Sequence, residues 1–258
     1  MRLQAFAACI LLGCFSCRQG QSQMEQSIES MYITSDGNPY PHIGAIPLPM
    51  GYKRIGLEPG SYGAWLRQLE LKEDKTVYLY NGSTKRNQTA QFAVLNVSVG
   101  HKDLQQCADA VMRLRAEYLY SQKRYDEIIF TDNEQTNYLF EAPYTRMRFD
   151  AYLQRVFGMC GSASLSRQLH SKNIWSMQPG DVLIKGGFPG HAVMVMDMAQ
   201  NDKGEKIYLL AQSYMPAQDI HILNNPSGTV ISPWYRLNSN ADITTPEYYF
   251  TRNQLKGW

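Results

Sequence analysis

Apolar residues fall in short dense runs in the last third of the chain, whereas in its middle they recur three and four positions apart. Asp181-Val182-Leu183-Ile184, Ala192 to Met196 and Ile207 to Gln212 are apolar runs bounded by Gly, Pro, Asn or Asp, which predicts buried strands. Val111, Leu114 and Tyr118 share one helical stripe with Cys107, and Asp103 with Gln106 offers an N-terminal capping pattern, so the spacing predicts a helix over 103–120. Shorter helices are expected over 61–69, 149–157 and 164–170. Strands are expected over 76–80 and 91–97, with a turn at Asn81-Gly82. Residues 121–148 are polar and aromatic without a clear period and read as an excursion beside the core. Helices first and neighbouring strands afterwards predict an α+β domain with a mostly antiparallel sheet.

The amino terminus has a different texture. Met1-Arg2 precedes an uncharged stretch from Leu3 to Leu12 and then Gly13-Cys14, the layout of an export signal. That stretch is shorter than the roughly 20 apolar residues a bilayer span needs. Leu11-Leu12-Gly13-Cys14 resembles the bacterial lipobox, which makes Cys14 the expected lipidation site, with Cys17 a weaker rival. The expected organisation is a signal segment over 1–17, a polar and Pro-rich tether over 18–50, and one α+β domain over 51–258. The expected location is the cell envelope, on the periplasmic or outer-surface face, with the lipid as the only membrane attachment.

Composition narrows the function classes. A formal net charge of +2 in 258 residues argues against a nucleic-acid partner. Of the five cysteines, Cys9, Cys14 and Cys17 lie in the signal, leaving Cys107 and Cys160 in the body, where a plain disulfide between them is the bland alternative. No Gly-rich phosphate loop or metal-ligand spacing is present, so no cofactor is expected, and His101, His170 and His221 fall singly.

A thiol becomes a nucleophile as thiolate, which favours a helix start and a histidine to hold its proton. Cys107 stands in the first turn of its expected helix. His191 begins a strand after Phe188-Pro189-Gly190, and Gln212 ends the next one, so antiparallel pairing brings those two side chains within reach. This makes Cys107 the candidate nucleophile, His191 the base and acid, and Gln212 the residue that orients the ring. Gln106 is a candidate oxyanion donor beside the Cys107 backbone N–H. Cys160, in Cys160-Gly161-Ser162-Ala163-Ser164, is the rival nucleophile; helix-start position and element order favour Cys107. Against both stands a purely structural Cys107 on an apolar stripe.

Gln106-Cys107 opening a helix, Gln178-Pro179-Gly180-Asp181-Val182, Gly190-His191-Ala192-Val193 and a following strand ending in Gln212 resemble the CHAP and NlpC-type papain-like cysteine amidohydrolases. That resemblance covers about 103–214. It implies a papain-like α+β fold, with N-terminal helices and a mostly antiparallel sheet, that cleaves peptide-linked cell-wall material. Two departures stand out: a long interval between Cys107 and His191, and an uncharged amide at the third position, which orients a ring but lends no charge to imidazolium. The amide, with 17 Tyr and 4 Trp, keeps open a second class: a non-catalytic surface module of the same fold that binds glycan or peptide. A longer stretch, from Tyr52 to Trp258, resembles a bacterial family filed as a domain of unknown function (4846), common in Bacteroidetes lipoproteins. Gly60 to Arg67, Gln106 to Tyr118, Gly186 to Val193 and Leu210 to Gln218 carry that likeness.

Overall fold

A computed structural model describes residues 37–228, 230–238 and 242–258. The expected signal segment, the expected lipidation site Cys14 and the first part of the expected tether lie outside the described residues. Among those described, no helix is long and apolar enough to cross a membrane.

The frame is an antiparallel sheet of nine strands built around an eleven-residue strand, β7 (His191–Asn201). On one side of it lie β8 (Lys206–Gln212), β9 (His221–Leu223) and β2 (Gln91–Val94). On the other lie β6 (Val182–Lys185), β13 (Leu255–Gly257) and β5 (His170–Ser171). Two short strands join off this path, β1 (Tyr52–Arg54) on β7 and β10 (Tyr235–Arg236) on β8. Separate hairpins pair β3 (Ile129–Thr131) with β4 (Asn137–Leu139), and β11 (Ile243–Thr244) with β12 (Tyr249–Phe250). Every described strand pair is antiparallel. The α+β class with a large antiparallel sheet is therefore as expected.

β7 and β8 lack polar alternation because both of their faces are covered. Ala192, Met194, Met196, Leu209 and Ala211 face a core shared with helices α1 (Tyr62–Arg67), α2 (Cys107–Ser121), α3 (Arg146–Met159) and α4 (Ser162–Gln168). Val193, Val195, Tyr208 and Leu210 face a second core completed by Ile243, Phe250 and Leu255. Burial on both faces removes the period-2 signal and leaves continuous apolar runs. A bulge in β7 after Val195 carries the fully buried Asp197, which Arg54 (2.7 Å) and Arg67 (2.7 Å) neutralise, tying β1 and α1 to the central strand.

Several local expectations shift. The packed body begins at Asn38 rather than Gly51, because Ile43 and Ile46 are fully buried in the first core. The stretch 76–80 makes only isolated bridges, Tyr78 to Thr84 and Leu79 to Gln218. Within 121–148 lies the β3–β4 hairpin. Its turn is organised by Asp132, whose carboxylate accepts the Glu134 and Thr136 N–H groups and the Tyr138 hydroxyl.

Candidate active site

Helix α2 starts at Cys107, three residues later than an Asp103 cap would place it. Gln106 is the N-cap, and its N–H donates to the Asp109 carboxylate at 3.0 Å. Asp103 instead accepts the Ala217 N–H (2.6 Å) and the Gln106 side-chain amide (3.0 Å). The Ser213 hydroxyl lies 2.9 Å from the Gln105 carbonyl. Through Asp103 and Ser213, the segment that follows β8 is bound to the residues just before Cys107, which joins the end of the Gln212 strand to the start of the Cys107 helix.

Two glycines let the other strands enter. Gly180 has φ +97, and a Cβ there would lie 2.6 Å from the Tyr62 ring. At Gly190 a Cβ would lie 2.1 Å from Ser162 Oγ and 2.5 Å from the Gly187 carbonyl, so only glycine leads into His191 beside the start of α4. Asp181, the other half of the Gly-Asp signature, is taken up structurally: it accepts the Gln178 N–H at 2.8 Å and pairs with Lys172 at 2.7 Å.

His191 is 2% exposed, and its Nε2 lies 2.9 Å from Gln212 Oε1. The register sets Met194 opposite Ala211, so His191 lies diagonal to Gln212 on the same face of the sheet. Tyr214 and Tyr248 pack on the ring at 4.6 and 4.7 Å, and Phe250 lies at 5.9 Å. Burial pushes the imidazole down to about 4, against the opposing pull of the Gln212 hydrogen bond and the Glu247 charge, so the ring is neutral at pH 7.

Cys107 is 8% exposed and free of disulfide. Burial, helped by the Asp109 charge, pushes its thiol up to about 11, although N–H groups of Ala108, Ala192 and Cys107 itself act the other way. The helix start therefore does not yield a resting thiolate, because loss of solvation outweighs it. The Ala192 N–H contact sets the sulfur against the residue after His191. Cys107 also acts electrostatically on Tyr214 and Tyr248, the two rings that pack on the imidazole. Thiol and imidazole thus share one neighbourhood.

A cavity of about 360 Å³ runs along the start of α2, with Gln106, Cys107, Cys160 and Gly190 in its wall. Cys160, at the C-terminal cap of α3, is also free, and burial pushes it up to about 12. The charged groups acting on it are Asp132 and Asp109, both acidic. Among the described residues no group of three or more His, Cys, Asp or Glu side chains is placed to hold a metal ion.

Sequence reasoning missed the residues behind Gln212. The Gln212 side-chain amide donates to Glu247 at 2.8 Å and approaches His221 Nε2 at 3.4 Å. Glu247 is itself held by Lys85 (2.6 Å) and Asn87 (3.1 Å). His221 carried a weak signal, as an apolar-flanked histidine in a strand. Glu247 and Lys85 carried none, since both sit in polar stretches that read as surface.

The family described as Domain of unknown function (4846) matches residues 44–142 and 132–257, and the chain belongs to it. Nothing among the curated proteins or the solved structures matches the chain.

Proposed function

We propose that this protein is a papain-like cysteine amidohydrolase of the CHAP and NlpC type, exported to the cell envelope on a Cys14 lipid anchor and acting on peptide-linked cell-wall material. The observation that carries the chemistry is the hydrogen bond from His191 Nε2 to Gln212 Oε1. It occupies Nε2 and leaves Nδ1 as the other ring nitrogen, while the Ala192 N–H on the Cys107 sulfur sets the thiol against the residue that follows His191. A neutral imidazole and a neutral thiol call for proton transfer during attack. As the sulfur bonds to the amide carbon, His191 Nδ1 takes the thiol proton, and the oxyanion meets the Cys107 backbone N–H and the Gln106 amide. Collapse breaks the C–N bond, the departing amine takes the proton from His191, and water then hydrolyses the thioester to release the acid and regenerate the thiol. Met159, Phe188 and Met215 are exposed in the cavity wall and offer apolar surface to a bound peptide.

A second reading, a non-catalytic module of the same fold that binds glycan or peptide, draws on the depth of the pair: both side chains are buried and neither is charged at pH 7. Incubation of the full chain with purified muropeptides separates the two. The hydrolase reading predicts new amine and acid termini by mass spectrometry, lost in Cys107→Ala. Saturable binding without product supports the module.

A further inference from the structure

The side chains behind His191 form a chain of hydrogen bonds in which each donor and acceptor can be assigned. Asp219 contributes a backbone carbonyl, which only accepts, 2.9 Å from His221 Nδ1. His221 therefore carries its proton on Nδ1 and presents a lone pair at Nε2. Glu247 presents a carboxylate oxygen, also an acceptor only. These two acceptors face one group, the Gln212 side-chain nitrogen, at 3.4 and 2.8 Å. Gln212 has two N–H bonds to give, one for each. Its oxygen is thereby left for His191, and an oxygen accepts only from a protonated Nε2.

We infer that Glu247 and His221 are positioning residues: they hold the Gln212 amide in one of its two orientations and so fix His191 with its proton on Nε2 and its Nδ1 lone pair free. Turning the amide over would set its oxygen against the Glu247 carboxylate and the His221 lone pair. It would also direct the NH₂ at His191 Nε2, moving the ring proton to Nδ1, where the ring could accept nothing from a thiol. The amide that looked like a weak third member is thus made directional by an anion one residue further back. The catalytic meaning of this arrangement rests on the Cys107–His191 reading above, but the arrangement itself does not.

Glu247 is well placed to hold its post. It sits in the turn of the β11–β12 hairpin, closed by the Thr245 N–H to the Tyr248 carbonyl (2.9 Å) and the Tyr248 N–H to Thr245 Oγ1 (3.0 Å). Lys85, 7% exposed, reaches both Glu247 oxygens at 2.7 and 2.6 Å. Burial alone would raise the Glu247 carboxyl, but Lys85 and Asn87 more than offset it and hold it below the usual value, so it stays an acceptor at pH 7. Burial likewise keeps His221 neutral, pushed down to about 4.

The test reads ring tautomers in the ¹⁵N-labelled full chain at pH 7, without substrate, by long-range ¹H–¹⁵N correlation. In the wild type, His191 should be protonated on Nε2 and His221 on Nδ1. Glu247→Leu combined with Lys85→Met removes the anion without stranding its cation, and should leave His191 divided between tautomers. Adding Gln212→Glu, whose carboxylate has no donor side, should restore the Nε2-protonated ring. A folded double variant with an undivided wild-type tautomer, or failure of the third substitution to restore it, would overturn the inference. Should the double variant not fold, a wild-type His191 protonated on Nδ1 overturns it equally. An inactive protein with the expected tautomers would count against the hydrolase and not against this assignment.

Discussion

Cys107 and Cys160 line one cavity, are both 8% exposed, and both have thiols pushed well above the ordinary range by burial. What separates them is company. The Asp109 charge acts on both, but Cys107 begins a helix and takes the N–H of the residue after His191, whereas Cys160 ends a helix and has a second acidic neighbour, Asp132. Two thiols alike in burial therefore differ in the backbone that meets them, and on the proposed hydrolase reading only Cys107 has the neutral imidazole as its base. In this protein reactivity is expected to follow the imidazole rather than the resting ionisation of the sulfur.

The largest effects should come from substitutions that erase the difference. Cys107→Ala should abolish muropeptide cleavage, while Cys160→Ala should retain it and lose about 1 kcal/mol of stability to a small cavity; turnover assays and urea melts on the pair check this. Loss of cleavage in Cys160→Ala alone would reverse the assignment. Next, His191→Ala should reduce kcat by about 100- to 10,000-fold, the range of a general base. Gln212→Ala should reduce it less, because the ring stays in place but loses its fixed tautomer.

The thiol–imidazole pair and the residues behind it differ in how legible they were. Cys107, His191 and Gln212 stood out because each sits at an element end, and those ends have local signatures: a capping pattern, a Gly-His step, a polar residue closing an apolar run. Antiparallel pairing of β7 and β8 then follows from two adjacent apolar runs with a short polar connection. Glu247 has no such signature. It reaches Gln212 from a two-strand hairpin late in the chain, and Pro246-Glu247 between short strands reads as an exposed turn. Lys85, equally polar in sequence, is buried with its ammonium on both Glu247 oxygens. The β3–β4 hairpin was hidden for a related reason: its strands are three residues each, and its turn is built by the Asp132 side chain rather than by an Asn-Gly pair.

A smaller effect concerns pH and stability. His191 and His221 are held down to about 4 in the folded protein, against 6.5 for an ordinary imidazole. Between these values the unfolded chain binds more protons, so stability is full above pH 6.5 and falls as pH drops toward 4. Each ring should cost about 2 kcal/mol at pH 5 relative to pH 7. Urea melts of the wild type and His221→Gln should diverge at pH 7 and converge toward pH 4; parallel curves would show that His221 is not buried in its neutral form.

The most direct measurement of the central claim is the site of first modification by substoichiometric iodoacetamide at pH 7, mapped by peptide mass spectrometry on the folded full chain. Between the two body thiols, the adduct should form on Cys107, slow several-fold in His191→Ala, and reach Cys160 only after unfolding. An adduct on Cys160 ahead of Cys107, or labelling of Cys107 at the same rate with and without His191, would contradict the account.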